Sequence, residues 1–254
     1  MKKTFIALPF IIFFLMVFVS FGFNHPSKKK VNNAHPKKGF AVIELFTSEG
    51  CSSCPPADEA VADLAKEYPS NVYVLGFHVD YWNYLGWKDE FSTADYSARQ
   101  RDYADVLHLS SVYTPQVIVN GQTEFTGSDK RKLYATVEQA LTSDNSMAID
   151  LTAKASGVKE VQVSYKINTD NKSILRIALI QLQTTSAVKR GENKGKLLHH
   201  IDVVRNFKTV TGNAGAISIA LPEGLTAKDC KIIAFVQNKT DMHVTAANEC
   251  RIQE

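Results

Sequence analysis

The chain has 254 residues and a formal net charge of +3, but that average hides two compositions. Seven lysines (Lys2, Lys3, Lys28, Lys29, Lys30, Lys37 and Lys38) hold all the basic excess. Taking them from the 29 basic residues leaves 22 against 26 acids, so the chain from Gly39 onward carries about −4, which excludes a nucleic-acid-binding surface, while its ordinary hydrophobicity excludes disorder, a collagen-like repeat and a small disulfide scaffold.

Residues 5–23 contain sixteen apolar residues in nineteen, preceded by Lys2 and Lys3 and ending in Ser20-Phe21-Gly22. This reads as a secretory signal peptide over 1–22 with cleavage after Gly22. The alternative is an uncleaved N-terminal membrane anchor, for which the run is long enough. Residues 23–38, rich in Asn, Pro, Lys and Ser, read as a polar linker. The protein is therefore expected to be exported, periplasmic or secreted, where disulfides persist.

From Gly39 to about residue 145 strand and helix patterns alternate. Ala41–Phe46 is a short apolar run suited to a strand covered on both faces. Residues 54–68 place Ala57, Val61, Leu64, Ala65 and Tyr68 on one helical face, with Pro55 and Pro56 tolerable only in its first turn. Asn71–Val79 is a second strand and Thr93–Leu107 a polar helix. Val117–Val119 and Thr123–Phe125 flank Asn120-Gly121, a strong hairpin signal. Asp129–Leu141 is a last helix, capped by Ser128 or Asp129. After Met147 the period becomes two, as in Val161–Ile167, Leu175–Leu179, Ile217–Leu221 and Ile232–Val236. The fold class is read as an α/β domain over 39–145, a mixed sheet flanked by helices, followed by an all-β, sandwich-like domain of about seven strands over 146–254.

Cys51-Ser-Ser-Cys54 falls at a strand-to-helix junction. The positive end of the helix favours a thiolate at Cys51 and makes it the attacking sulfur, with Cys54 one turn further in. The spacing also suits half of a zinc site, but no second C-x-x-C or H-x₃₋₅-H completes one. Cys230 and Cys250 would lie opposite each other in a hairpin centred on Thr240, which predicts a structural disulfide between them. The expected pairing is 51–54 and 230–250.

With a strand, a C-x-x-C at a helix start and Thr114-Pro115 before a hairpin strand, the region from Phe40 to about Leu141 resembles the thioredoxin superfamily. Glu44–Asp58, Phe77–Asn83, Gly86-Trp87, Tyr113–Gln116 and Arg190–Asn193 more narrowly resemble a family of uncharacterised secreted bacterial thioredoxin-like proteins, a domain of unknown function. The resemblance implies a thioredoxin-like domain in which Cys51 is the nucleophile, Cys54 the resolving cysteine and Pro115 a cis-proline beside the sulfurs. The backbone of Thr114 would then pair with an extended substrate. Glu44 falls near the place of a buried acid that shuttles the resolving thiol's proton, seven residues before Cys51 where six is commoner; the alternative is a solvent-edge Glu. Ser52-Ser53 departs from the dipeptides of better-known relatives, so the direction of electron flow stays open.

Other signals have two readings each. Tyr81, Trp82, Tyr84, Trp87 and Phe91 form either a partner-binding rim near the cysteines, with Trp82 and Trp87 as substrate contacts, or an insertion's own small core. His78 and Asp80 end the second strand, where His78 could supply a proton or a third Cu(I) ligand, or be merely structural. Arg99 and Arg101 are either an anchor for an acidic group or a solvated face. His199 and His200 point to opposite faces if strand-borne, which disfavours shared metal ligation. Lys189–Lys196 reads as a mobile basic loop.

These observations point to an exported thiol–disulfide oxidoreductase acting on a protein thiol or disulfide, re-poised by a separate redox partner, with no cofactor and no resident metal. The rivals are a Cu(I)-handling protein using the same cysteines and a non-enzymatic binding module with structural disulfides.

Overall fold

A computed structural model describes Met1, residues 39–143 and residues 148–254. The expected signal or anchor beyond Met1, the linker up to Lys38 and the expected domain boundary at 145/146 lie outside the described residues.

The first strands are the long apolar runs of the sequence. β1 (Ala41–Thr47) and β2 (Val72–His78) are buried at every position and pair in parallel from Ala41↔Val72 to Thr47↔His78. β3 (Gln116–Val119) lies antiparallel on the other side of β1, and β4 (Thr123–Thr126) folds back on it. Their hairpin turns through Asn120 and Gly121, both at positive φ (49° and 69°), as a tight turn between twisted strands requires. A Cβ at Gly121 would stand 2.0 Å from the Met242 carbonyl oxygen, so the position also needs glycine for space.

α1 (Pro55–Glu67) starts on two prolines and buries Ala57, Ala60, Val61 and Leu64. α2 (Ala94–Val106) is capped by the Thr93 side chain, which accepts the N–H of Tyr96. α3 (Lys130–Thr142) is capped by Asp129, which accepts the N–H of Lys132. Side chains of Ile43 and Leu45 join those of α1 and α3 in one core, while Val42 and Phe46 join Tyr96 and Tyr103 of α2 in another. The sheet thus has α1 and α3 on one face and α2 on the other.

The strands that follow are β5 (Ile149–Ser156), β6 (Glu160–Ile167), β7 (Ser173–Ala187), β8 (Leu197–Val210), β9 (Ala214–Ala220), β10 (Cys230–Asn238) and β11 (Val244–Gln253), of which β6, β7, β9 and β10 match the four alternating segments. These are the seven strands expected, but they do not stand apart. β8 pairs in parallel with β2 at Gly76↔Val203, so the described strands form one sheet in the order β4-β3-β1-β2-β8-β7-β10-β11-β5-β6-β9. Its far end closes over a core in which Val161, Val163 and Ile219 pack with Ile177, Leu179 and Ile232.

The α2-side core runs through both sequence regions: Phe46, Leu75 and Phe77 share it with Ile180, Val204, Ile233 and Phe235. At its centre Arg99 of α2 is buried and forked onto Glu44 of β1, with Nε–Oε2 2.5 Å and Nη2–Oε1 2.8 Å. Tyr103 donates to Glu44 at 2.5 Å, Gln237 of β10 donates to Tyr103 at 2.9 Å, and the guanidinium lies 4.7 Å from the Phe207 ring centroid. Burial would lower the Arg99 pKa, but the carboxylate overrides it and holds the group cationic. An α/β unit beside an independent sandwich differs from this arrangement, because the period of a strand specifies its faces and leaves its neighbour open.

Candidate functional site

β1 delivers the chain to the turn Thr47-Ser48-Glu49-Gly50 and then to Cys51. The Cys51 N–H donates to the Ser48 carbonyl and the Cys54 N–H to the Cys51 carbonyl. Cys54 is the N-cap of α1, its carbonyl accepting from Ala57 and Asp58, and it is disulfide-bonded to Cys51 with a Cα–Cα distance of 5.5 Å. Phe46 pairs with Gln116, which brings the start of β3 to the same end of the sheet; the Thr114–Pro115 peptide there is cis, as the resemblance implied. Trp82 joins the two segments. Its indole N–H donates to Thr114 Oγ1 at 2.8 Å, and its Cβ lies so close to Gly50 that a Cβ added there would meet it at 2.9 Å.

Both cysteines are fully buried while Ser52 and Ser53 are exposed. The cover is the β7–β8 connection. The Asn193 amide donates to the carbonyls of Glu49 (2.9 Å) and Cys51 (2.8 Å), Lys196 holds the Asn193 oxygen at 3.0 Å, and Glu192 accepts the Ser52 N–H at 3.0 Å. The Ser52 hydroxyl and N–H together hold the Glu192 carboxyl below the usual range. The segment read as a mobile basic loop is therefore pinned through Glu192 and Asn193, with Lys196 holding Asn193.

Beneath the dithiol turn is a buried set of acids and imidazoles. Glu49 is fully buried and accepts the Trp87 indole N–H at 2.6 Å. Asp89 accepts the Glu49 N–H (2.9 Å), the Phe91 N–H (2.9 Å) and His78 Nδ1 (2.7 Å). Burial would raise Asp89, but His78 and these donors hold it below the ordinary carboxyl value. His200 of β8 lies edge-to-face on His78 with ring centroids 4.8 Å apart. Its nitrogens stand 3.6 Å from Glu49 Oε1 and 3.6 Å from Asp58 Oδ2, at ion-pair distance and beyond hydrogen-bond reach. Burial alone would lower the imidazole pKa; the two carboxylates override it and raise it to about 9. Glu49 Oε1, both ring nitrogens of His200 and Thr47 Oγ1 have no hydrogen-bond partner. Thr47, Asp58, His78 and His200 line a small internal cavity there.

The structure brings Cys51, Cys54, Thr114, Pro115, Trp82 and Trp87 to one end of the sheet, and it removes other candidates. Glu44 is a correction: it faces α2 and is held by Arg99, while Ile43 and Leu45 face α1. A residue seven before Cys51 lands on the sheet face away from the helix that carries the cysteines, because strand side chains alternate. Arg99 is consequently neither a ligand anchor nor solvated, whereas Arg101 is exposed.

The Cys230–Cys250 bridge is a second correction, for both are free thiols. Ile232 pairs with Cys250 and Lys231 with Arg251, a register two residues from the expected one, with an irregularity between Val236 and Gln237. Diagonal cross-strand positions are roughly 7–8 Å apart, too far for a disulfide. Burial pushes both thiols up to about 11.

His199 is exposed and His200 buried, as alternation requires. Asp80 is engaged by Ser97 at 2.5 Å. Tyr84 is exposed, and Phe91 packs on His78 and His200. Among the described residues no group of three His, Cys, Asp and Glu is placed to hold a metal ion, and no helix is long and apolar enough to cross a membrane.

Sequence reasoning missed Glu49, Asp58, Asp89 and the clamping role of Asn193. Only Asp58 had a usable signal: four residues after Cys54 on a helix, it shares that residue's face.

No curated protein matches this chain. A crystal structure of protein AGR_C_4864 from Agrobacterium tumefaciens is 29% identical, covers 82% of this chain and 92% of its own, and superposes with a TM-score of 0.62. A domain of the outer membrane lipoprotein Omp28 from Porphyromonas gingivalis is 18% identical over 42% of this chain and 88% of its own, with a TM-score of 0.27, too low to carry an argument. The family described as "Protein of unknown function (DUF1223)" matches residues 42–237, and since that is more than half of the chain, the chain belongs to it.

Proposed function

We propose that this protein is exported and exchanges dithiol and disulfide with a protein partner through Cys51 and Cys54. The observation that carries the reading is the disulfide at the N-terminus of α1, set at the same sheet end as the cis Thr114–Pro115 peptide. The order β4-β3-β1-β2, with α1 and α3 on one face and α2 on the other, agrees with the thioredoxin-like arrangement that the sequence resemblance implies. Export rests on the apolar run and basic start of residues 1–22.

In the reducing direction the Cys51 thiolate attacks a substrate disulfide and releases one substrate thiolate. Cys54 then attacks the Cys51 sulfur, the remaining substrate sulfur leaves, and the chain keeps the disulfide; two electrons pass to the substrate. The reverse sequence oxidises substrate thiols. Either direction requires the 189–196 segment to move, since Asn193 and Glu192 hold the backbone of the dithiol turn and both sulfurs are buried.

That burial also favours a second reading, a binding module whose 51–54 bridge is structural. Equilibration in glutathione redox buffers with mass-tagged alkylation separates the two. A couple titrating between about −120 and −270 mV supports exchange, and one below about −300 mV supports the structural bridge.

A further inference from the structure

The segment that covers the cysteines is opposite in charge to the rest of the body. Residues 189–196 hold Lys189, Arg190, Lys194 and Lys196 against one acid, Glu192, a net of +3; without them the chain from Gly39 onward has 18 basic residues against 25 acids, about −7. All four cations are exposed, and among the described residues none is ion-paired with an acid. Each lies within three residues of Glu192 or Asn193, the two side chains that fasten the segment to the dithiol turn.

The segment is closed at its base. The Val188 N–H donates to the Lys196 carbonyl at 3.0 Å and the Gly195 N–H to the Val188 carbonyl at 2.8 Å, so it can leave the dithiol turn without unravelling β7 or β8. Its two fastenings are unlike. Asn193 is fully buried and donates to the carbonyls of Glu49 and Cys51. Glu192 is exposed, and its carboxylate accepts the N–H of Ser52, itself exposed between the two cysteines, at 3.0 Å. A carboxylate from another chain can make that same hydrogen bond, and the unpaired cations around it attract one.

We propose that residues 189–196 form a docking surface for a protein partner whose reactive cysteines are flanked by acidic residues, and that Glu192 stands in for the partner's carboxylate until it is displaced from Ser52. The inference rests on the exchange reading above and adds the substrate class of that site. Displacement replaces one carboxylate with another on the Ser52 N–H, so that hydrogen bond is conserved. The net gain is the attraction between the partner's acids and the four cations, and the segment is left held by Asn193 alone. The negative remainder of the body repels an acidic partner everywhere else, which directs it to the cysteines. An anionic membrane would meet the same cations, but it brings no cysteine to the dithiol.

The test starts from the disulfide form of the purified protein and three synthetic peptides that share one Cys-x-x-Cys dithiol, flanked by aspartates, by serines or by lysines. The peptide loses two electrons and two protons as it closes its own disulfide, and Cys51 and Cys54 become thiols. Mass-tagged alkylation of quenched, unfolded samples counts these as two tags above those on Cys230 and Cys250. Each rate is divided by that of the same peptide with bis(2-hydroxyethyl) disulfide, an uncharged reference that removes the effect of the flanking charge on the peptide's own thiols. The aspartate peptide is expected to react about tenfold faster than the serine peptide and the lysine peptide more slowly than either, the spread collapsing at about 1 M salt. The combined variant Lys189→Gln, Arg190→Gln, Lys194→Gln is expected to lose this ranking, and Glu192→Ala to react several-fold faster with the serine peptide. Equal rates for the three peptides with wild type, or a ranking that survives the combined variant, overturn the proposal and leave the exchange reading standing. Equal rates together with sedimentation on phosphatidylglycerol vesicles, lost in the combined variant, overturn it in favour of a membrane contact. An unchanged rate in Glu192→Ala overturns the stand-in role of Glu192. If no peptide adds the two tags, the exchange reading falls and the proposal with it. The substituted side chains are all exposed, and far-ultraviolet circular dichroism checks that each variant is folded.

Discussion

The molecule buries two charged clusters, one on each side of β1, and they are built in opposite ways. In the Glu44–Arg99–Tyr103–Gln237 cluster the carboxylate accepts three donors and the guanidinium is enclosed by aromatic rings. In the Glu49–His200–Asp58 cluster the imidazole stands 3.6 Å from each carboxylate and several polar atoms have no partner. The first joins α2 and β1 to β10, segments more than a hundred residues apart. The second lies under the cysteines. A low-dielectric interior makes a fully satisfied network rigid and an unpaired buried polar atom costly, so the first cluster is expected to hold the regions together and the second to contribute less to stability.

The comparison can be tested most severely at Arg99. Arg99→Met strands Glu44 in the core, and a loss of about 3–5 kcal/mol is expected in urea unfolding. A loss below about 1 kcal/mol would mean that the cluster is not what joins the two regions.

His200 should behave differently. Its folded pKa, about 9, lies above the ordinary value of 6.5, so its contribution is complete below about pH 6.5 and disappears as pH rises through about 9. Wild-type stability should therefore fall by up to about 3 kcal/mol across that window, and the slope should flatten in His200→Gln. An identical slope in the variant would assign the pH dependence elsewhere.

A smaller effect is expected at the cover. Asn193→Ala removes two hydrogen bonds to the Glu49 and Cys51 carbonyls and should cost about 1–2 kcal/mol. It should also speed reduction of the 51–54 disulfide by dithiothreitol roughly tenfold, by RT ln K for the same free energy. An unchanged rate would show that the 189–196 segment does not control access.

The smallest test is a count. Unfolded in denaturant without reductant, the chain should expose two free thiols, Cys230 and Cys250. None would restore the bridge expected from spacing.

The two cysteine pairs show how far spacing can be trusted. Cys51 and Cys54 are three apart at a helix start, where local geometry alone brings the sulfurs together. Cys230 and Cys250 depend on the register of a hairpin, and the irregularity after Val236 with Met242 at positive φ (57°) moved that register by two residues. Glu44 failed in the same way, since one residue of spacing changes the face of a strand. His199 and His200 succeeded because only alternation was asked of them.

Residue patterns alone thus determined the three helices and the cap of the last, the buried strands, the Asn120-Gly121 hairpin, four of the alternating strands with the approximate number of the rest, and the place of the dithiol, all matters of local periodicity and turn chemistry. Tertiary structure alone decided that both regions share one sheet, that β8 carries His200 beneath α1, and that Asn193 lies across Cys51. Those depend on which edges and faces meet, and a β-strand's sequence specifies its faces without naming the strand beside it.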